Sequence, residues 1–190
     1  MRVDWVPLGE RAIRFARPTG ASARAIVRAV RAWPGVVDVV VAREDVGVYF
    51  AEVPAPRELV LGDDADDPPR EHVLHATYDG ADLDDVARAT GLSTRDVIER
   101  HAAAMYTVDT IGFRPGFAYL AGLDPALVLP RRATPRPRVP AGSLAIADVF
   151  TAVYPGESPG GWHLIGRIAE PMFGPDGARL SLGDRVRFQR

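Results

Sequence analysis

The stretch SLAIADVFTAVYPGESPGGWHLIGRI, residues 143–168, decides the fold class. Its apolar runs, Leu144 to Ala147, Phe150 to Tyr154 and His163 to Ile168, are strand-length, and Gly and Pro punctuate the segment before any run reaches the length of a helix. The same pattern fills residues 107–190, with further runs at Thr110 to Phe113 and Arg185 to Phe188 and no convincing helix. Many short strands with regular punctuation predict a closed or half-closed β-barrel.

Upstream of Tyr106 the periodicity changes. Val3 to Leu8 and Ala12 to Ala16 read as strands around a Gly9-Glu10 turn, and Val36 to Val41 and Val46 to Phe50 as a second pair. Between the pairs, Ile26, Val27, Val30 and Trp33 share one helical face and Arg24, Arg28 and Arg31 another, until Pro34-Gly35 ends the helix. Residues 54–70, with four prolines and the acidic run Asp63, Asp64, Asp66 and Asp67, read as a loop with a solvated surface. His72 to Tyr78 returns to strand, and Asp82 to Ala89 and Thr94 to Met105 read as two helices. Asp82 with Asp85, and Ser93 with Asp96, have the spacing of capping boxes. The chain thus reads as an α+β N-terminal domain, residues 1–80, followed by a mainly β barrel domain, residues 81–190, with two leading helices packed on the barrel.

Composition excludes several chemistries. The 190 residues carry a net charge of -2, so no whole-protein field draws in nucleic acid or an anionic membrane. All 23 basic side chains are Arg, and Lys and Cys are absent. A P-loop, a Schiff base, a thiolate nucleophile, a disulfide framework and a Cys-ligated zinc are therefore ruled out. The opening residues lack an apolar signal run and no stretch approaches 18 apolar residues, so the expected location is the cytoplasm.

Four features carry candidate chemistry. Gly156-Glu157-Ser158-Pro159-Gly160 matches the nucleophile-elbow pattern, but a strand rather than a helix follows it, so it reads as a glycine-rich turn whose Ser158 hydroxyl either contacts an anion or only closes a tight loop. His72 and His75 fall on opposite faces of a strand and cannot chelate together, and His101 lies on the apolar stripe of its helix, where a satisfied core histidine is the more common outcome; no metal-ligand set is expected. The loop 130–140 places Arg131, Arg132, Arg136 and Arg138 among prolines, which suits a carboxylate or phosphate site or, equally, a solvated surface pairing with the acidic run. Gly112 to Leu120 interleaves Gly, Pro and aromatics in the manner of a pocket wall, with Phe113 and Phe117 as its rings, although structural packing is a serious alternative.

Five blocks taken in order are more specific than any one alone: Gly112 to Leu120, then Pro130-Arg131-Arg132 with Pro135-Arg136, then Val139-Pro140-Ala141-Gly142-Ser143, Ser158-Pro159-Gly160-Gly161-Trp162 and Leu164-Ile165-Gly166-Arg167. Together they resemble the family of the B-type subunit of 5-oxoprolinase, also known as allophanate hydrolase subunit 1, which includes KipI-like kinase inhibitors. Around residues 78–83 the chain is shorter than the family's usual junction, and residues 54–70 are Pro- and Asp-rich where a helix is usual.

The resemblance implies a cyclophilin-like barrel, catalytic roles at His101 and Tyr119, and substrate or anion contacts from Arg131, Arg132, Arg136, Ser143, Ser158 and Trp162. It further implies an ATP-dependent hydrolase that converts 5-oxoproline to glutamate with a larger partner, of the kind represented by the C-type subunit of 5-oxoprolinase or allophanate hydrolase subunit 2. ATP would be shared with the partner subunits, and the isolated chain would be inactive. An allophanate hydrolase or urea carboxylase role, or non-catalytic inhibition of a sensor histidine kinase, is the alternative.

Overall fold

The fold is that of a computed structural model describing residues 1–62 and 69–190; the acidic run Asp63, Asp64, Asp66 and Asp67 lies outside the described residues. Two compact units, Met1–Pro68 and Pro69–Arg190, are present.

In the first unit, strands β1 (Trp5–Pro7), β2 (Ala12–Ala16), β3 (Val36–Val41) and β4 (Asp45–Phe50) form a sheet of order β1-β2-β4-β3. Register explains which residues it hides. Phe15, Val46 and Val41 lie opposite one another on one face, as do Ile13, Val48 and Val39, and all six are buried. Helix α1 (Ala23–Arg31) covers that face, with Ile26 and Val30 wholly buried and Trp33 6.1 Å from Phe15, ring to ring. The Ser22 hydroxyl caps α1 by accepting from the Ala25 N–H at 3.0 Å, and Arg28 and Arg31 complement the dipole of its last turn.

The second unit is built on seven strands: β5 (Glu71–Thr77), β6 (Tyr106–Ile111), β7 (Ala118–Ala121), β9 (Ser143–Ala147), β10 (Phe150–Val153), β12 (His163–Ile168) and β15 (Arg185–Gln189). They close as β10-β7-β6-β15-β5-β12-β9. Two short ribbons complete the strand set, β8 (Arg136–Val139) with β11 (Ser158–Gly160), and β13 (Phe173–Gly174) with β14 (Gly177–Ala178). Each of the seven barrel strands contributes to one buried cluster, including Leu74, Val108, Leu120, Ile146, Val153, Ile165 and Phe188, which is therefore the barrel interior. Helices α2 (Leu83–Thr90) and α3 (Thr94–Ala103) add Leu83, Val86 and Val97 to the same cluster and so pack on the barrel as the sequence pattern predicts.

The division between units differs from the sequence expectation. A boundary near residue 80 assigned the strand at 72–78 to the N-terminal domain, whereas the units separate at Pro68 and Pro69. The reason is pairing: β5 runs parallel to β15 from Glu71↔Arg185 to His75↔Gln189 and antiparallel to β12 at Ala76 and Thr77. Periodicity identifies a strand but not its neighbours.

The turn after β5 presses against β12. A Cβ on Gly80 would lie 2.3 Å from the Leu164 carbonyl oxygen, and one on Gly166 would lie 2.4 Å from the Thr77 oxygen, so only glycines permit this crossing. The Asp82 N–H donates to the Leu164 oxygen at 2.9 Å, seating the start of α2 on β12.

Candidate functional site

Of the two capping boxes expected, one forms. Ser93 and Asp96 exchange side-chain and backbone hydrogen bonds at the start of α3, whereas Asp82 makes no cap bond to α2. Its carboxylate is taken by residues distant in the chain. Arg132 Nη1 donates to Oδ1 at 2.7 Å, Arg136 donates through Nη1 and Nη2 at 2.8 and 2.7 Å, and the Leu164 N–H donates to Oδ2 at 2.7 Å. The Asp82 residue is 1% exposed. Burial alone would raise its carboxyl, but the Arg136 and Leu164 hydrogen bonds and the charges of both arginines outweigh that and hold it below the usual carboxylate range.

This corrects the anion-site expectation for Arg132 and Arg136. Among the described residues, the carboxylate that both arginines hold is that of Asp82. Arg131 and Arg138 remain at the surface, 3.6 Å from Asp148 and 3.3 Å from Glu157.

The other candidates converge on the outer face of β7, β9, β10 and β12. There a second core forms from Phe117, Val139, Ala145, Ala147, Ala152, Tyr154, Trp162 and Leu164, with Tyr119 and Phe150 partly buried against it. Phe117 meets Tyr119, Tyr154 and Trp162 edge-on at 5.0, 5.4 and 5.7 Å, and Tyr119 in turn meets Phe150 and Trp162 at 5.8 and 5.7 Å. Phe117 and Trp162 are packing residues of this cluster, and Tyr119 is the half-buried hydroxyl at its edge. Phe113 extends the wall as an exposed ring, 5.2 Å from Phe117. Ser143 and Ser158 are both buried, and Ser158 pairs with Val139 across the β8-β11 ribbon, which turns its side chain toward the same cluster. The Ser158 hydroxyl is buried without a hydrogen-bond partner. Arg131 is near enough to Tyr154 to favour its phenolate, although burial dominates and raises that pKa. Tyr119, Ser158 and Trp162 thus share one face, joined by Phe150 and Tyr154, which sequence reading treated only as strand residues.

His101 is not at this face. It lies inside the barrel cluster, wholly buried, with ring contacts to Tyr78, Tyr106 and Phe188. The Thr151 hydroxyl donates to the Ala145 oxygen at 3.0 Å and so accepts from His101 Nε2 at 2.9 Å, leaving Nδ1 to accept from the Tyr78 hydroxyl at 2.8 Å. Burial pulls the imidazolium pKa down to about 3. These contacts make His101 a buried, internally hydrogen-bonded residue, whereas the resemblance implied a catalytic role for it. Its ring should show no titration by NMR between pH 5 and 8. Because the unfolded chain takes up this proton below the ordinary pKa of 6.5 and the native chain does not until about 3, stability should fall with pH across that window, by about 1.4 kcal/mol per unit. A ring titrating near pH 6.5 in the native protein would reinstate it as an acid–base candidate.

His72 and His75 are separated as their strand spacing requires, His72 meeting Asp184 and His75 meeting Glu170, each at 2.9 Å. Among the described residues no three His, Asp or Glu side chains gather to hold a metal ion, and no helix is long and apolar enough to cross a membrane. Neither helix N-terminus of the barrel unit, nor the Arg132 and Arg136 pair, is open to the phosphates of ATP. The first turn of α2 carries Asp84 and Asp85 beside Asp82, the α3 N-terminus is closed by its Asp96 box, and Arg132 and Arg136 are committed to Asp82.

Comparison with known proteins accords with this architecture. Residues 4–182 match the family described as carboxyltransferase domain, subdomain C and D. The chain is 44% identical over 119 residues to the B-type subunit of 5-oxoprolinase from Haemophilus influenzae, covering 61% of this chain and 56% of that protein. It is 43% identical over 114 residues to the corresponding 5-oxoprolinase protein of Bacillus subtilis, covering 58% and 48%. The chain therefore spans about half the length of the curated relatives it matches. Among solved structures, TTHA0988 superposes with a TM-score of 0.76 at 35% identity over 94% of this chain but 39% of that one. PH0987 of Pyrococcus horikoshii, a conserved uncharacterized protein, superposes with a TM-score of 0.61 at 32% identity over 98% and 96%. The urea carboxylase of Kluyveromyces lactis shares the fold at 16% identity and a TM-score of 0.66, over 98% of this chain and 21% of that one. With the family match running through both units, from the first sheet to the turn before the last barrel strand, the chain belongs to the carboxyltransferase domain family, subdomains C and D.

Proposed function

We propose that this chain is the B-type subunit of a cytoplasmic, ATP-dependent 5-oxoprolinase, opening the lactam of 5-oxoproline to glutamate together with a larger partner and inactive without it. The observation that carries the reading is 43–45% identity to three proteins, each named as the B-type subunit of 5-oxoprolinase. A lactam carbonyl is a poor electrophile, so coupling to ATP supplies the activation, and in this reading ATP is shared with the partner subunits. In this reading the substrate carboxylate approaches Arg131, which is exposed and only loosely held by Asp148, while the half-buried Tyr119 faces the lactam.

The test is reconstitution. The purified chain and its cognate larger subunit, with any further subunit of the same complex, should together release glutamate from 5-oxoproline with ATP, and omission of this chain or of the larger subunit should abolish turnover. Turnover of allophanate instead would move the assignment to that branch. Inhibition of a histidine kinase by the isolated chain, with no turnover in any combination, would make it a binding module.

A further inference from the structure

We propose that the Gly112–Phe117 loop and the β13-β14 hairpin together form the surface on which a larger polypeptide docks, one that offers apolar pockets rimmed with carboxylates. The proposal rests on the reading of this chain as one subunit of a complex, and identifies the face it uses.

The first observation is a strained turn that leaves its ring mostly in solvent, with one edge-on contact to Phe117. Phe113 has φ 71, and the Arg114 N–H donates to the Gly112 oxygen at 2.9 Å, closing a three-residue turn of the positive-φ kind that bulky residues rarely enter. The surrounding bonds hold it there: Phe117 N–H to Arg114 O at 3.0 Å, Gly112 N–H to Phe117 O at 3.2 Å, and the Arg114 guanidinium to the Gly156 and Glu157 carbonyls. What this constrained turn delivers is a phenyl ring 61% exposed to water. Strained backbone that a well-bonded loop maintains is a mark of a working surface.

The second observation is a neighbour of the same kind. Gly116, at φ 81, approaches the hairpin so closely that a Cβ there would lie 2.7 Å from Phe173 Cβ and 2.8 Å from the Met172 oxygen. The loop is thereby seated beside Phe173, itself 47% exposed. Two large exposed rings on adjoining elements exceed the scattered apolar residues of an ordinary surface.

Charge identifies the occupant. Arg114 bonds to the Gly156 and Glu157 carbonyls, and Arg179, which follows the hairpin and donates its N–H to the Met172 oxygen, bonds through its side chain to the Pro171 carbonyl at 3.0 Å; among the described residues neither is paired with a carboxylate. Phe and Arg together are the composition of an interface centre. A second copy of this chain meeting the face about a two-fold axis would set these guanidiniums against each other, so the complementary partner is a different, acidic-rimmed surface. The same fold occurs in TTHA0988 as 39% of a longer chain, covalently joined to a segment larger than itself, which is the size relation the proposal requires.

The test uses calorimetry to measure the affinity of the full chain for its cognate larger subunit, with melting temperature recorded on every variant. Phe113→Gly should weaken binding at least 10-fold while the melting temperature holds or rises, because glycine adopts φ 71 freely. Phe113→Gly with Phe173→Ser should weaken it at least 100-fold, Arg179→Glu should weaken it in a salt-dependent way, and Val40→Ser on the exposed face of the N-terminal sheet should leave it unchanged. Wild-type binding that survives the double variant would place the interface elsewhere and leave the subunit reading standing. Failure of the wild-type chain to bind the larger subunit would overturn the subunit reading and the proposal with it. A fall in melting temperature on Phe113→Gly would show that the ring serves the fold and would overturn the proposal.

Discussion

Asp82→Ala should lower the thermal midpoint of the barrel unit by on the order of 10 °C, an expected loss of about 3 kcal/mol. Removing one partner of a buried ion pair costs about 3 to 5 kcal/mol, and the lower end applies because Arg132 and Arg136 keep side-chain exposures of 30% and 24% and can turn toward water. The Leu164 N–H cannot, and is left buried without an acceptor. Arg136→Ala, which removes two of the three arginine bonds, should cost more than Arg132→Ala, and either should cost less in an Asp82→Ala background than alone. The pH dependence has a defined sign. A carboxyl whose native pKa lies below its unfolded value contributes stability that is complete above the ordinary range near 4 and is lost as acidification reaches the depressed native value, so Asp82→Asn should flatten the acid limb of a stability–pH curve. An anion-binding role for the arginines forecasts the reverse, with turnover lost and the melting temperature of Arg132→Ala and Arg136→Ala intact. Denaturation of these variants followed by circular dichroism separates the two outcomes, and an unchanged midpoint in Asp82→Ala would return both arginines to the binding site.

The Asp82 network shows where sequence reading stops. Asp at 82 and Asp at 85 satisfied the spacing of a capping box, and so did Ser93 with Asp96; only the second box formed, because Leu164 and two arginines some fifty residues downstream claimed the first carboxylate. Local rules weigh local partners, and a long-range bidentate pair outweighs a cap. Strands were legible where apolar alternation met a Gly or Pro stop: β2 and β12 begin and end where the pattern places them, and Ser158 is followed by strand, which disposes of the nucleophile elbow. Pairing was not legible, since nothing in Glu71 to Thr77 distinguishes a strand of the first sheet from a stave of the barrel. For the candidate site the outcome follows residue type. The helical stripe correctly marked His101 as a core position, against the role that resemblance implied. The aromatic wall was visible as Gly112 to Leu120, but Phe150 and Tyr154 reach it only because strand alternation turns them outward on a closed barrel. Phe113 was marked as a ring of that wall, but the exposed ring of Phe173 beside it had no sequence signal, because its placement depends on which loop lies beside which hairpin.

The placement of β5 governs the last expectation. Residues 69–190, expressed alone, should fold cooperatively, whereas residues 81–190 should not, although the missing segment is short and lies at one end. At this length a unit buries about two thirds of the surface its unfolded chain exposes, enough for independent stability if the core is complete. Without β5 the core is not complete. Leu74, wholly buried, and Ala76, 6% exposed, are removed from the interior cluster. The barrel also loses its closure, since β5 is the only stave between β15 and β12, and their facing edges would each carry a row of unpaired backbone groups. Asp184, 3% exposed, would lose the His72 imidazole at 2.9 Å and the Arg70 N–H at 3.3 Å, leaving its carboxylate buried with the Ser181 N–H to satisfy it. Together these exceed the marginal stability of a domain, roughly 5 to 15 kcal/mol, so the shorter fragment should show collapsed amide dispersion, dye binding to exposed apolar surface and no sigmoidal urea transition. The longer fragment should show full dispersion and a single transition. A well-dispersed, cooperatively unfolding 81–190 fragment would mean that the barrel closes without β5 and would restore the boundary near residue 80.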